Sequence, residues 1–102
     1  MPTYRKTLRA DDDVKEIYRY TRRTWVRAQA EHYLRALEQR FRALAASPLA
    51  GIAREDLQPP GLRSVVHGND VIFYQPQRYG VLIVRVLHGR QDVRTRLGIE
   101  EP

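Results

Sequence analysis

The chain has 102 residues, of which 42% are apolar and 29% charged, and its formal net charge at pH 7 is +6. This length and composition predict one folded domain spanning residues 1–102 and argue against a disordered chain. The absence of cysteine excludes disulfides and cysteine-based metal sites and nucleophiles, and three scattered histidines do not predict a zinc site.

No apolar run in the sequence approaches the roughly 18 residues of a membrane span, and the N-terminus carries charges where a signal peptide needs apolar residues. We therefore expect a cytoplasmic protein with no membrane contact, no metal and no cofactor. Sixteen of the 18 basic residues are arginines, and the first 50 residues hold most of the positive charge. This balance favours acidic partners, although arginine-rich codon usage would produce the same ratio of arginine to lysine.

The first half of the sequence predicts a strand and a helical hairpin. Residues 3–7 (TYRKT) are typical of a short strand, and Thr7 is a suitable helix N-cap. Apolar residues then recur at spacings of three and four in two stretches, and Ser47-Pro48 ends the second. These residues are Ala10, Val14, Ile17, Tyr18, Thr21 and Trp25 in the first stretch, and Ala30, Tyr33, Leu34, Leu37, Phe41 and Leu44 in the second. Trp25 and Tyr18 are interpreted as packing residues.

The second half changes to the period of two that is typical of strands. Residues 48–61 predict a surface connection, and residues 62–67, 71–76 and 81–88 predict three strands joined by tight turns. The predicted class is α+β, with an N-terminal strand and an antiparallel helical hairpin packed on one face of a small antiparallel sheet in the order β-α-α-β-β-β. The predicted core comprises Val14, Ile17, Leu34, Leu37, Phe41, Leu44, Ile72, Tyr74, Leu82, Val84 and Val86.

The last predicted strand runs into the sequence RVLHGRQD at residues 85–92. Because side chains alternate along a strand, Arg85 should lie on the open face of the sheet, whereas Val84, Val86 and His88 share the other face. A histidine beside Arg90 could be an acid-base group with a phosphate clamp, together with Arg63 and His67, or it could simply hold the end of the strand. The sequence around His88 fits both readings.

The order and spacing of five segments resemble the ParE branch of the RelE/ParE toxin superfamily. These segments are ADDDVKEIYRYT at 10–21, QAEHYLRALEQRFRALAASPLAG at 29–51, REDLQPPGLRS at 54–64, DVIFYQP at 70–76 and IVRVLHGRQD at 83–92. The resemblance implies a toxin that an antitoxin neutralises. In this superfamily ParE-type members poison DNA gyrase, whereas RelE-type members cut messenger RNA on the ribosome.

The same resemblance implies that the RNA-cleaving residues are missing. Val71 holds the place of an arginine of the RNA-cleaving branch, Leu62 and Ser64 fall near the places of its basic pair, and no tyrosine or histidine follows His88. We therefore expect no catalytic residue and a non-enzymatic gyrase inhibitor. The alternatives are a ribosome-dependent endoribonuclease of the RelE type, and an inert member that only regulates its own operon.

The expected partners are a ParD-like antitoxin and DNA gyrase, with DNA contacted only through one of these complexes. The residues expected to contact the target are His88, Arg90, Arg94 and Arg96, at the end of the last strand and beyond it. The residues expected to contact the antitoxin are Arg63, Tyr74 and Arg85, on the predicted strands.

Overall fold

The computed structural model describes residues 1–88, which form two helices and five strands. The elements in chain order are β1 (Thr3–Lys6), α1 (Leu8–Thr24), α2 (Arg27–Ala46), β2 (Ile52–Ala53), β3 (Arg63–His67), β4 (Asp70–Gln77) and β5 (Gly80–His88). Neither of these two helices has the length and apolar character needed to cross a bilayer. The segment that follows His88, residues 89–102, lies outside the described residues.

Thr7 joins the start of α1 to the sheet. Its hydroxyl oxygen accepts a hydrogen bond from the backbone N–H of Ala10 at 3.0 Å, as predicted for an N-cap, and the same hydroxyl donates to the carbonyl oxygen of Val84 at 2.8 Å. Asp11 in the first turn adds a negative charge near the positive end of the helix dipole. The cap therefore fixes both the start of α1 and its position against β5.

The predicted fold class is confirmed, but the sheet is mixed rather than wholly antiparallel. Its strand order is β1-β5-β4-β3-β2, and β1 runs parallel to β5 whereas all other neighbours are antiparallel. The two-residue strand β2 lies inside the segment that was expected to be an irregular connection. Gly80 permits the β1–β5 pairing, because a Cβ atom at this position would lie 1.9 Å from the carbonyl oxygen of Thr3.

The core lies on both faces of the sheet. On the helix side, the buried cluster contains Ala10, Val14, Leu37, Phe41, Leu44, Ala45, Ile72, Tyr74, Val81, Ile83 and Val86, with Ile17 and Leu34 partly buried against it. On the other face, Leu57 and Leu62 pack against Phe73 and Leu87 in a second buried cluster. The connection at 48–61 was expected to lie at the surface, but it contributes Leu57 to this second cluster. The cluster covers part of the sheet face that was expected to be open.

A β-bulge reverses the predicted assignment of faces in β5. Phe73 pairs with Arg85 and Tyr74 pairs with Ile83, so Val84 has no partner of its own in β4. The assignment of Leu82 and Val84 to the helix-facing core was wrong, because both are only half-buried and Val84 packs against the second cluster. Val86 joins the helix-side core as predicted, since the extra residue changes the alternation between Ile83 and Val86.

Leu37 tests the packing of the hairpin on the sheet. Leu37 is 0% exposed in the helix-side cluster, so Leu37→Ala should lower the free energy of unfolding by about 2 to 5 kcal/mol, measured by urea denaturation. Leu49 is 71% exposed, and Leu49→Ala is the matched control with an expected change of about 0.5 kcal/mol or less. Equal unfolding free energies for the two variants would contradict the packing assignment.

Candidate functional site

A cleft of about 670 Å³ opens between α1, the start of α2 and the end of β5. We call it the α1–β5 cleft. Its lining residues are Asp13, Glu16, Ile17, Tyr20, Thr21, Arg23, Thr24 and Trp25 from α1 and its end, Tyr33 from α2, Gly68, Asn69 and Asp70 from the β3–β4 turn, and Arg85, Val86, Leu87 and His88 from β5. Two of the predicted site residues, Arg85 and His88, therefore line one cleft.

Asp13 and Arg85 form an ion pair that ties α1 to β5 at one wall of the cleft. Arg85 donates from Nε to Asp13 Oδ2 at 2.7 Å and from Nη2 to Asp13 Oδ1 at 2.9 Å, in a bidentate arrangement. The backbone N–H of Val86 also donates to Asp13 Oδ2, at 3.0 Å. The prediction that Arg85 marks the open face was wrong, because Asp13 supplies a carboxylate on the helix side.

Asp70, the first residue of β4, is a second carboxylate of the cleft lining, with a side chain that is 4% exposed. It accepts a hydrogen bond from the hydroxyl of Tyr33, and one of its oxygens lies 3.3 Å from Nδ1 of His88. The same hydroxyl lies 3.3 Å from the carbonyl oxygen of His67. Asp70 thus joins α2, the β3–β4 turn and the end of β5 through side-chain hydrogen bonds.

Burial and charge shift the pKa values of two groups beside Asp70. Burial, followed by the hydrogen bond to the Asp70 carboxylate, raises the pKa of Tyr33 well above its ordinary value, so Tyr33 remains a neutral donor. Burial lowers the pKa of His67, and the positive charge of Arg40 lowers it further. The neutral forms of both side chains are therefore favoured in the folded protein.

Aromatic rings extend from Asp70 around the cleft. The ring centroids of Tyr33 and Trp25 are 6.4 Å apart, and those of Tyr20 and His88 are 5.6 Å apart. Tyr20 is 57% exposed and Trp25 is 46% exposed, so neither is a core residue. The interpretation of Trp25 as a packing residue was wrong, because α1 ends at Thr24 and Trp25 begins the extended connection to α2.

The other predicted site residues lie elsewhere. Tyr74 is 0% exposed, and its hydroxyl donates to the carbonyl of Pro48 and accepts from the N–H of Gly51, both at 2.8 Å. Arg63 donates to the carbonyl oxygens of Gly51 and Leu49 at 3.0 and 3.2 Å. Arg63 and Tyr74 therefore meet at residues 48–51, where both hold backbone groups. The predicted target contacts Arg90, Arg94 and Arg96 lie outside the described residues.

Four side chains of the cleft were not singled out from the sequence as functional. Asp13 and Asp70 occurred only within the segments that carry the family resemblance, at 10–21 and 70–76. Tyr20 fell outside the apolar repeat, and Tyr33 was read as a member of it. No local pattern in the sequence connects these residues, because only the three-dimensional structure shows that Asp13 and Asp70 line the same cleft.

The Asp13–Arg85 pair should be a large single contribution to stability. Their side chains are 14% and 10% exposed, so Asp13→Ala would leave Arg85 largely buried without this carboxylate and lower the free energy of unfolding by about 3 to 5 kcal/mol. Asp12 is exposed in the same part of α1, so Asp12→Ala is the matched control, with a loss of about 1 kcal/mol or less from the helix dipole. Chemical denaturation that gives the two variants similar stabilities would count against a structural role for the pair.

Comparison with known proteins identifies the family to which this fold belongs. The protein-family model described as the ParE toxin of the type II toxin-antitoxin system parDE matches residues 4–93 of this chain. Toxin ParE1 of Caulobacter vibrioides is 36% identical over 100 residues, which cover 96% of this chain and all of that protein. Toxin ParE of Escherichia coli is 38% identical over 99 residues, covering 95% and 94% of the two chains.

A solved structure supports the same assignment at the level of the fold. A chain from the chromosomal ParDE toxin-antitoxin system of P. aeruginosa aligns with a TM-score of 0.71 and 17% identity, covering 86% of this chain and 96% of that chain. The resemblance predicted from the sequence is confirmed by these matches. The chain belongs to the ParE toxin family and is the toxin component of a type II toxin-antitoxin system.

Proposed function

We propose that this toxin inhibits DNA gyrase without catalysing a reaction, and that a ParD-like antitoxin neutralises it. It acts in the cytoplasm as one domain, and it meets DNA only through gyrase or through the antitoxin. Its membership of the ParE family supports both partners, because the resemblance associates ParE-type toxins with gyrase and with an antitoxin encoded beside them.

The proposal rests on the residues that occupy three positions where the RNA-cleaving branch has functional side chains. Leu62 is buried in the second core cluster, and Ser64 is buried and within 3.3 Å of a guanidinium nitrogen of Arg54. Val71 is half-buried against the same cluster. Leu62 and Val71 have no polar side-chain atom, and the Ser64 hydroxyl is neutral, so none of the three supplies the base or the cation that cleavage of RNA requires.

One contact favours the alternative function as an endoribonuclease. A carboxylate that orients a histidine, as Asp70 does for His88, is one component of an acid-base site. However, the cleft lining carries the Asp70 carboxylate, which has no arginine or lysine partner within residues 1–88 and would repel the RNA backbone. Arg85 is already neutralised by Asp13. The cleft is therefore a poor phosphate site, and this comparison supports the non-enzymatic function.

The proposed gyrase contacts begin where β5 ends. The His88 side chain is 46% exposed at the mouth of the cleft, and Arg90, Arg94 and Arg96 follow it in the sequence. Of the proposed antitoxin contacts, Arg63 is half-buried, whereas Tyr74 and Arg85 are buried. Tyr74 and Arg85 would therefore affect antitoxin binding indirectly. Tyr74 holds residues 48–51 in place, and Arg85 holds α1 in place through Asp13.

Substitution of His88 separates the two functions. His88→Gln keeps a hydrogen-bonding side chain beside Asp70, so inhibition of gyrase supercoiling by purified toxin should fall by less than about tenfold, whereas loss of a catalytic base costs about 10²- to 10⁴-fold. Gyrase supercoiling and cleavage assays should be run beside RNA cleavage on translating ribosomes. Transcript cleavage by the parent that disappears in His88→Gln, with gyrase unaffected, would falsify the gyrase proposal.

Reversal of charge in the segment beyond His88 tests the proposed target contacts. The combined variant Arg90→Glu, Arg94→Glu and Arg96→Glu should weaken gyrase inhibition by about tenfold or more, since it replaces three cations with anions. The combined variant Arg9→Glu, Arg35→Glu and Arg78→Glu is the matched control, because these three arginines are exposed and the change in net charge is the same. If the control variant loses as much inhibition as the combined variant, net charge rather than this segment determines gyrase inhibition.

Antitoxin binding should bury apolar surface and join opposite charges. The toxin carries a net charge of +6, and toxin-binding segments of antitoxins commonly fold as they bind. Isothermal titration calorimetry of the toxin with a ParD-like antitoxin should give a large negative heat-capacity change and an affinity that falls with added salt. A heat-capacity change near zero would contradict coupled folding and apolar burial.

A further inference from the structure

The buried carboxylate of Asp70 has no arginine or lysine partner within residues 1–88. The protein groups that contact it are the neutral hydroxyl of Tyr33 and the imidazole of His88, which is charged only when protonated. A carboxylate that is 4% exposed is costly to keep ionised unless opposite charge or several donors compensate it. Asp70 therefore presents an acceptor that an incoming cation would stabilise.

The surroundings of Asp70 suit a flat cation. Tyr33 and His88, which contact Asp70, each have a second aromatic neighbour in the cleft lining, Trp25 and Tyr20 respectively. Tyr20 and Trp25 are 57% and 46% exposed and both line the cleft, and exposed aromatic groups around a concave site are typical of binding surfaces. Aromatic faces attract cations, and arginine also stacks on them.

The charge of the cleft lining has the opposite sign to that of the whole chain. Three carboxylates, Asp13, Glu16 and Asp70, line it with two arginines, Arg23 and Arg85, which gives 2 − 3 = −1 against a net charge of +6 for the chain. Arg85 and Asp13 neutralise each other in their ion pair. Glu16 likewise lies 3.8 Å from a guanidinium nitrogen of Arg19, so Asp70 is the one acid of the cleft lining that has no arginine or lysine partner within residues 1–88.

We infer that the α1–β5 cleft binds the guanidinium group of an arginine presented by a protein partner. The guanidinium would donate to the Asp70 carboxylate and lie against the rings of Tyr20 and Trp25. Arginine is favoured over lysine, because a planar fork of donors matches a carboxylate and stacks on aromatic rings, whereas an ammonium group does neither as well. The inference does not depend on gyrase inhibition and adds a cationic contact to the acidic ones expected from an antitoxin.

The chain provides its own reporter for this site. Trp25 is the single tryptophan of the sequence and lines the cleft, so its fluorescence should change when the cleft is filled. The probe is N-acetyl-arginine amide, titrated into the full-length toxin at constant ionic strength. N-acetyl-citrulline amide is the matched probe, because its urea group has nearly the shape of guanidinium without the charge. N-acetyl-lysine amide tests the preference for a planar cation.

The arginine probe should give a saturable change in Trp25 emission, the lysine probe a weaker one, and the citrulline probe none. Asp70→Asn should weaken binding of the arginine probe by about tenfold or more, since the charge-assisted hydrogen bonds are lost. Asp12→Asn, which removes an exposed carboxylate outside the cleft lining, should leave binding unchanged. Circular dichroism of each variant checks that the chain remains folded.

Two kinds of result would overturn the inference. An equal response to the arginine and citrulline probes in the parent protein would exclude recognition of a cation, whether or not Asp70→Asn folds. No response in the parent, together with binding by a variant in which Arg90, Arg94 and Arg96 are replaced by Gln, would assign the cleft to the chain's own C-terminal segment rather than to a partner. The gyrase proposal is tested separately, by the supercoiling assay on the parent protein, so its failure is distinguishable from the failure of this inference.

Discussion

The ion pair between Asp13 and Arg85 determines how the helical hairpin meets the sheet. It lies at the bulge in β5, where Val84 has no partner in β4 and the alternation of side chains changes. The Asp13 carboxylate accepts hydrogen bonds from Nε and Nη2 of Arg85 and from the backbone N–H of Val86. One carboxylate therefore binds both the buried guanidinium group and the backbone beside the bulge. Because Thr7 also binds the carbonyl of Val84, the first half of α1 is tied to the bulge at two points.

This attachment also shapes the α1–β5 cleft. With the first half of α1 held on β5, the second half of α1 and the end of β5 form two of its walls, and the β3–β4 turn forms another. Asp70 then joins that turn to α2 through Tyr33 and to β5 through His88. The cleft therefore depends on two aspartates. Asp13 binds Arg85 and Val86 at the bulge, and Asp70 lines the recess.

The sequence predicted which segments form helices and strands, but it did not predict which face of the sheet each side chain of β5 occupies. Repeats of three and four, the cap at Thr7 and the change to a period of two predicted both helices and the three long strands, because these signals are local. The bulge at Val84 is a property of the pairing between β4 and β5, so alternation within β5 alone assigned Leu82, Val84 and Arg85 to the wrong faces. The cleft escaped prediction for the same reason, since Asp13 and Asp70 are 57 positions apart in the sequence.

The sign of the cleft shows why net charge is a poor guide to where a partner binds. At physiological ionic strength charges are screened over about 8 Å, so arginines farther than this from Asp70 contribute little to the potential beside it. The Asp70 carboxylate acts at shorter range inside the recess, and a buried group is screened less than an exposed one. A chain of +6 can therefore attract an acidic partner to its outer surface and still receive a cation in the cleft. The two contacts would respond to different substitutions, because each depends on the charges within a few ångströms of it.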